Sequence, residues 1–348
     1  MDSLKVALDF CGGAQHLSQI GAGFQLLQEQ GLLEVTQCRF ARLQMEDGYP
    51  HNVTAQARLS DGRVIGYDMD DGYQQMRDMA AFDANIGRLS KYCKRSYDPA
   101  MHKNLPNAHL MRPLGLNYLI SCKDNPFDAI TRRAAIAVPE DYESHVHYRD
   151  YRVLFYTRLW ESGGITERTF MHPKNGMTLD EAKICAKETI DGFNRVNNTR
   201  IECIRALRRA LGDRFCGGVV NTPLARRIAP DLVLIKEKPS RAAFRNMLKE
   251  NFICIANDGL YRSIGWKMAE YMAASRAVVC ETPFYTVPAP FAAGRNFLPF
   301  QTADECVAQA TRLLDDVELT HEMEDNNRAY YRAYIRPDGM IWHSLIDP

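Results

Sequence analysis

The sequence lacks the segments that mark membrane and secreted proteins. No apolar run approaches the ~20 residues that a helix needs to cross a bilayer. The opening MDSLKVALDF predicts a strand, not the charged and apolar regions of a signal peptide. We therefore expect a cytoplasmic protein without stable membrane insertion.

Cysteine motifs and excess charge are also absent. The ten cysteines lie at least thirteen residues apart, which excludes CxxC redox and zinc motifs. The 43 basic and 43 acidic side chains balance, so the chain as a whole has no electrostatic attraction to nucleic acid. Local basic clusters permit such a partner without requiring it, and they lie at residues 94–95, 132–133, 205–209 and 226–227.

What is present indicates an α/β protein of two domains. At 348 residues the chain exceeds the ~250–300 residues at which a single hydrophobic core stops growing. Capping-box patterns at Thr178–Glu181 and Thr302–Glu305 predict two helix starts. The predicted elements are helix 178–211, strand 214–220, strand 231–235, helix 240–250, strand 252–257, helix 263–275 and strand 276–281. Their alternation predicts a parallel sheet.

Residues 259–281 indicate a glycine-containing loop, a helix and a buried strand, which is a phosphate-binding arrangement. The apolar run 252–258 predicts a strand that leads into this loop, at the sheet edge where open α/β sheets bind ligands. Ser263, Lys267 and Glu270 are spaced to share one helix face. There a lysine charge suits a diphosphate and a glutamate accepts from ribose hydroxyls. Alternatively, Lys267 and Glu270 form a solvated ion pair.

The N-terminal half predicts strand 5–10, a tight turn and a helix from His16 to Gln30. In the turn, Gly12 and Gly13 have no side chains, so the backbone can approach another group closely. His16 is a candidate general base, although a histidine at a helix start is also an ordinary surface group.

Three carboxylates, Asp68, Asp70 and Asp71, gather where a predicted strand ends. Repulsion between the negative charges raises the pKa of one carboxyl group, which makes the three residues candidates for a general base. They fit equally well an acidic turn that caps the next helix. Lys94 and Arg95 either bind an anion across a cleft or form a solvated charge pair.

The charged stretch Ala137–Asp150 lacks helical periodicity and predicts the boundary between two strand–helix series. Within it, His145 and His147 have the alternate spacing that places both rings on one strand face. Because no third ligand lies nearby in the sequence, no metal site is expected.

The pattern Arg262-x-x-Gly265-x-x-x-x-Glu270, followed by Ser275-Arg-Ala-Val-Val, resembles the nucleotide-sugar signature of GT-B glycosyltransferases. It is most similar to bacterial CgeB-like and group 1 enzymes, whose second domain has a Glu-x7-Glu motif before a Val-Val strand. Glu270 matches the second glutamate, which holds the ribose of the donor in that family. Arg262 stands in place of the first glutamate, which leaves the donor sugar and the stereochemistry open.

A second stretch, Val153–Trp160, is similar to the strand and Gly-Arg-Leu turn that begin the same domain. Arg158 corresponds to the arginine that contacts the donor diphosphate in that family. The lysine that usually follows is absent from residues 161–165, and Lys267 is a candidate replacement. Together the two stretches extend the resemblance over roughly residues 151–320.

The resemblance implies an α/β fold in which two Rossmann-like domains face a cleft. The implied domain limits are 1–145, 146–325 and a segment 326–348 that packs back on the first domain. The implied reaction is metal-independent, cofactor-free transfer of a sugar from a UDP-, GDP- or dTDP-linked donor to a hydroxyl. The acceptor is then a glycan, lipid-linked, protein or modified-nucleobase group. Arg158, Lys267 and the loop Arg262–Gly265 would stabilise the leaving diphosphate.

If the reaction inverts, Asp68, Asp70 or His16 takes the acceptor proton. Asp68-Met-Asp70 is also the Asp-x-Asp by which single-domain, metal-dependent glycosyltransferases hold a divalent cation. That fold has no second Rossmann-like unit, so the run 231–281 argues against it. A third interpretation is a non-catalytic module that binds nucleotide sugars or nucleic acid, or a GT-B-shaped epimerase.

Overall fold

The computed structural model contains two β-sheets with helices packed against them. It describes residues 3–41, 54–73, 76, 78–133, 137–171, 177–234 and 240–347. The α/β fold class expected from the sequence is confirmed. No helix in these ranges combines the length and the apolar character that a bilayer crossing requires.

The first sheet has six strands: β1 (Leu4–Phe10), β2 (Leu33–Phe40), β3 (Thr54–Leu59), β4 (Val64–Asp68), β5 (Lys91–Lys94) and β6 (Met111–Pro113). Their spatial order is β2-β1-β3-β4-β5-β6, in which β3 runs antiparallel to both neighbours and the other pairs are parallel. A short turn joins β3 to β4, and its Gly62 has a φ of 92°. Such a tight hairpin requires antiparallel strands, so this sheet departs from a purely parallel Rossmann-like arrangement.

Within the described ranges, five short or medium helices precede the second sheet along the chain: α1 (Ser18–Glu29), α2 (Met79–Ile86), α3 (Pro99–His102), α4 (Pro126–Thr131) and α5 (Pro139–Tyr142). The last of them, α5, packs in the core of the second sheet through Tyr142. The predicted helix from His16 is divided, because Gln15–Leu17 forms a 3₁₀ turn before α1 begins. Buried Ile20 and Phe24 of α1 pack on the apolar face of β1.

The second sheet has five parallel strands: β7 (Arg152–Thr157), β8 (Phe215–Val219), β9 (Phe252–Ala256), β10 (Val278–Glu281) and β11 (Leu298–Phe300). Their order is β11-β10-β9-β7-β8. The chain passes from β7 to β8 on one side and returns to β9 on the other, so the strand order reverses between β7 and β9. Open α/β sheets have their ligand crevice at this point, beyond the carboxyl ends of the strands.

The remaining helices are α6 (Glu167–Phe170), α7 (Leu179–Leu211), α8 (Pro223–Ile228), α9 (Arg241–Leu248), α10 (Trp266–Ala273), α11 (Ala303–Asp315), α12 (Val317–Tyr330) and α13 (Pro337–Ile346). The cap of α7 confirms the prediction, since Thr178 Oγ1 accepts from the Glu181 amide while Glu181 Oε2 accepts from the Thr178 amide. Before α11, Thr302 Oγ1 accepts from the Glu305 amide, but Glu305 Oε2 accepts from the Gln301 amide instead.

Two predicted elements of the second half are wrong in detail. The predicted strand 231–235 is replaced by a 3₁₀ turn at Pro230–Leu232, after which Val233 makes one isolated bridge and residues 235–239 lie outside the described ranges. Pro230 has no N–H to donate to a sheet, which favours the turn. The predicted helix 263–275 begins later, at Trp266, because the loop before it has left-handed residues.

The C-terminal helices return to the first sheet. A π-helical turn, Tyr331–Ile335, follows α12, and α13 then packs on α1 with Met340 and Ile341 buried in the core of the first sheet. The two helices approach so closely that a Cβ on Gly23 would lie 2.3 Å from the Pro337 carbonyl oxygen. Glycine is therefore required at this contact.

Candidate functional site

A cavity of about 450 Å³ opens between the two sheets, at the point where the strand order of the second sheet reverses. Arg158 lines it from the end of β7 and Asn257 from the end of β9. The first sheet supplies the facing wall through His16, Asp71 and Arg95. The cavity therefore has the position expected for a ligand site of an open α/β sheet.

Cationic side chains dominate the lining of this cavity. Arg95, Arg158, Arg200 and Lys267 line it, and Asp71 is the one carboxylate among the described lining residues. Charges of one sign in a concave site attract a ligand of the opposite sign. The arrangement thus favours an anionic ligand.

Arg158 is held by its backbone and presents its side chain to solvent. Its carbonyl oxygen accepts a hydrogen bond from Arg200 Nη1 at 2.5 Å. The exposed Arg158 guanidinium has no hydrogen bond or ion pair within the described ranges of the chain. Because the backbone is fixed and the guanidinium is not engaged, this group is positioned to bind a ligand.

Arg200 and Asn257 were not identified from the sequence. Arg200 is only 8% exposed and its Nε donates to Asn257 Oδ1 at 3.1 Å, so it connects the ends of β7 and β9. Burial lowers its pKa to about 10, which leaves the guanidinium charged at neutral pH. Arg200 thus contributes a buried positive charge to the lining of the cavity.

The loop 259–265 places the N-terminus of α10 against the cavity. The Gly259 amide donates to the Ser263 carbonyl at 2.7 Å, and Tyr261 and Arg262 have φ values of 54° and 60°. Left-handed residues with side chains cost about 1 kcal/mol or more each, and such strain is retained at functional sites. The N-cap residue of α10 is Gly265, which has no side chain to cap the helix, so the first N–H groups of its backbone are available to an anion in the cavity.

Arg95 connects the first sheet to that loop. It is 6% exposed, its Nη1 donates to Asp71 Oδ1, and its Nη2 donates to the Ile264 carbonyl at 2.8 Å. Burial and the same cation lower the pKa of His16 to about 4, so its ring is neutral at neutral pH and is a weaker base than a free imidazole. The rings of His16 and Trp266 meet edge to face, with their centroids 5.0 Å apart.

Other predicted acidic and basic residues do not line the cavity. Asp68 and Lys94 are both fully buried and form an ion pair of 2.8 Å, with Tyr92 also donating to Asp68 Oδ2 at 2.6 Å. They meet because β4 and β5 are adjacent and Asp68 lies opposite Lys94 in the register. Burial and the neighbouring Asp68 raise the pKa of Asp70 to about 6. Asp71 is the member of this carboxylate group that reaches the cavity.

The predicted donor residues divide into two sets. Ser263, Gly265 and Lys267 line the cavity together with Arg158. Glu270 lies one helical turn beyond Lys267, accepts from the Tyr142 hydroxyl at 3.2 Å, and has a pKa raised by burial. The exposed side chain of Arg262 stacks on Phe284, and the turn with Gly12 and Gly13 lies outside the cavity lining.

A buried carboxylate pair lies behind the loop. Asp258 follows β9 and Glu281 ends β10, and the Asp258 amide donates to Glu281 Oε2 at 2.8 Å. Burial and the Glu281 charge raise the pKa of Asp258 to about 7, while Arg195 lies 3.9 Å and 3.7 Å from the two carboxylates. The carboxyl group of Asp258 thus changes its charge near neutral pH. Asp258 directly precedes Gly259, the first residue of the loop.

This pair should make stability depend on pH. The folded chain binds the Asp258 proton more tightly than the unfolded chain, whose pKa is the usual ~3.9. The stabilisation by this proton is complete below pH ~4 and is lost as the pH rises through ~7. We expect the unfolding free energy of wild type, relative to Asp258→Asn, to fall by up to about 4 kcal/mol between pH 4 and 7.5.

Urea unfolding of both proteins at a series of pH values measures this difference. Asp304→Asn, at an exposed position in the first turn of α11, is the control and should give a flat difference. A flat difference for Asp258→Asn as well would show that Asp258 is ionised throughout.

Comparisons with known proteins give distant structural likenesses. No family model and no curated protein matches the chain. The C-terminal domain of LpcC, a glycosyl transferase group 1 family protein from Francisella tularensis, is similar at 11% identity and a TM-score of 0.35, over 55% of this chain and 94% of that domain. Sucrose-phosphate synthase from Thermosynechococcus elongatus is similar at 12% and 0.41, over 93% of this chain and 69% of that one. MnaA from S. aureus, solved with UDP, gives 11% and 0.41, over 96% and 94%.

Proposed function

We propose that this protein is a GT-B glycosyltransferase that moves a sugar from a nucleotide-sugar donor to a hydroxyl acceptor. The observation that carries the proposal is the cavity itself: four cations surround a glycine loop and a free helix N-terminus, where the strand order reverses. A nucleotide diphosphate satisfies these groups, because it combines two phosphates with a ribose and a base. The acceptor would bind against the facing wall that the first sheet supplies.

The donor would lie on the second sheet. Its diphosphate would meet Arg158, Lys267 and the N–H groups at Gly265, and Arg200 would add charge from below. Glu270 would hold the ribose, as the family resemblance implies. Lys267 and Glu270 are the second and fifth residues of α10, so both lie within its first two turns.

The reaction breaks the bond between the sugar carbon and the diphosphate oxygen. Negative charge then develops on the leaving diphosphate, and positioned cations stabilise that charge in a water-poor site. The acceptor oxygen forms the new bond to the sugar carbon and gives its proton to a base on the facing wall. His16, which is neutral, and Asp71 are the groups that line the cavity there.

A panel of nucleotide sugars tests the proposal. A ligand at about 100 times its dissociation constant adds ~2.7 kcal/mol to the unfolding free energy, so the matching donor should raise the melting temperature measurably. Glu270→Ala should lose most of that increase, whereas Tyr142→Phe, which removes only the hydroxyl that donates to Glu270, should keep it. Absence of a shift with every UDP-, GDP- and dTDP-sugar would refute the donor assignment. A shift without any turnover would favour a non-catalytic binding module.

Turnover should survive excess EDTA at temperatures well below unfolding. Arg158, Lys267 and the dipole of α10 would supply the positive charge that a divalent cation supplies in Asp-x-Asp enzymes. Asp68 is already engaged by buried Lys94, which argues against its use as a metal ligand. Loss of turnover in EDTA, restored by manganese or magnesium, would instead support the metal-dependent alternative.

A further inference from the structure

Three histidines and two carboxylates cluster on the connection between the sheets. His145 and His147 lie between α5 and β7, and α12 contributes His321, Glu324 and Asp325. The sequence around the histidines contains no third ligand, but the fold brings Asp325 from 180 residues away. None of the five lines the cavity between the sheets, so this cluster is independent of the proposed transfer.

We infer that His145, His147 and Asp325 bind one divalent transition-metal ion of the zinc class. One ligand atom from each lies within 4.8 Å of the others. Two imidazoles and one carboxylate are a donor set that zinc prefers over magnesium or calcium. Water completes a tetrahedral site, because three side chains leave one position open and the side chains are 27%, 35% and 58% exposed.

The hydrogen bond of His147 determines which of its nitrogens is available. Its Nδ1 lies 3.0 Å from Oε2 of Glu324, a carboxylate only 1% exposed, and therefore carries the proton that it donates. Its Nε2 faces Asp325 Oδ1, 3.3 Å away, and a metal ligand at this position must present a lone pair there. Two lone pairs repel unless a proton or a cation lies between them. Ligand atoms bound at 2.0–2.2 Å around a tetrahedral ion are about 3.3 Å apart, which the distance between His147 and Asp325 matches. His145 Nε2, 2.5 Å from the same Asp325 oxygen, must move away from it by somewhat less than ~1 Å when the ion binds.

Glu324 is better suited to orient His147 than to bind the ion. It already accepts from the Tyr151 hydroxyl at 2.9 Å, and its other oxygen lies 3.5 Å from Arg276 Nη1. A buried carboxylate that accepts the second N–H of a ligating histidine fixes the ring and increases its basicity. His147 belongs to a second possible ligand group with His321 and Glu324. Because Glu324 orients His147, we assign the ion to the group with His145 and Asp325.

Arg328 competes with the ion. Its Nη1 lies 3.0 Å from His145 Nδ1 and donates to it, which places the proton of the neutral ring on Nε2 towards Asp325. When a metal ion binds Nε2, the proton of the His145 ring moves to Nδ1. The protonated Nδ1 can no longer accept a hydrogen bond from the Arg328 guanidinium. Arg328 must then turn away, so Arg328→Gln should bind metal more tightly than the wild type, because the amide oxygen of glutamine accepts from Nδ1–H.

The ion would link the segment between α5 and β7 to α12, the helix that leads back to the first sheet. We expect untagged, chelator-treated protein to bind one Zn²⁺ per chain in calorimetry and to melt at a higher temperature with it. Cobalt should give the visible absorption of a four-coordinate nitrogen and oxygen site. A thiolate-to-cobalt charge-transfer band would place the metal on the free cysteines instead and overturn the assignment.

Variants decide which residues bind. His147→Ala and His145→Asn should abolish the 1:1 binding, and Glu324→Gln should weaken it about 10–100-fold, as for other groups that orient a ligand. His109→Ala, an isolated histidine, is the control and should bind like wild type. Because His145 contacts the exposed Asp325, whereas His147 contacts the buried Glu324, the His145 variant should fold even if the other does not. Unchanged affinity in both histidine variants, or loss in His321→Ala with binding retained in His145→Asn, would refute the site.

Discussion

Replacing Arg158 with alanine should lower kcat by about 10²–10³-fold, the loss seen when one preorganised charge-stabilising group is removed. The guanidinium is exposed to the cavity at the end of β7, and its backbone is already fixed by Arg200. Its contact strengthens as the diphosphate gains charge, so kcat should fall as well as donor affinity. Steady-state kinetics with the donor identified by the panel measures both constants.

Arg152 provides a matched control on the same strand. It begins β7 at the edge away from the cavity and lies 3.8 Å from Glu250. Arg152→Ala should leave turnover unchanged, whereas Lys267→Ala should behave like the Arg158 variant. A rise in donor KM alone would make Arg158 a uniform binding group, and wild-type kinetics would exclude it from the site.

Asp68→Ala should destabilise the protein by about 3–5 kcal/mol, the cost of leaving one partner of a buried ion pair without its counter-charge. Asp68 and Lys94 are fully buried and 2.8 Å apart. The Tyr92 hydroxyl also loses its acceptor. Denaturant unfolding at neutral pH measures the loss of unfolding free energy.

Two further variants separate a structural role of Asp68 from a catalytic one. The double variant Asp68→Ala/Lys94→Met should recover much of the stability, because no charge then remains buried at this position. Asp71→Ala, at a side chain 33% exposed, should destabilise the protein less than Asp68→Ala, because Arg95 keeps its hydrogen bond to the Ile264 carbonyl, while reducing turnover. A stable Asp68→Ala protein without activity would instead identify Asp68 as the catalytic base.

The sequence predicts four of the five described strands of the second sheet, because their signals are local, and it misses β11. Apolar runs gave β7, β8, β9 and β10 nearly at their observed positions, and Arg158 follows one of them directly. Asn257 follows β9 in the same way and carried the same signal. The late start of α10 was missed because left-handed residues at Tyr261 and Arg262 have no sequence signature comparable to glycine.

Contacts between distant segments account for the rest. Arg200 lies on the buried stripe of α7 with Phe193, Val196, Ile204 and Leu207, so helical periodicity would have indicated a buried cation. Its hydrogen-bond partners, however, are Asn257 and the Arg158 carbonyl, which follow two different strands. Pairing of Asp68 with Lys94 depends on the register of β4 and β5, which the sequence does not encode locally.

The contact of α13 with α1 through Gly23 also constrains how the chain is made. A ribosome that adds about 5–20 residues per second needs roughly 15–60 s to synthesise the segment between these helices. Throughout that interval the apolar surface that Met340, Ile341 and Leu345 later cover is exposed on the nascent chain. Folding of the core around the first sheet therefore cannot finish before the strands of the second sheet are synthesised. Chaperone occupancy of the N-terminal half, and aggregation of chains truncated before Pro337, are the expected results during biosynthesis.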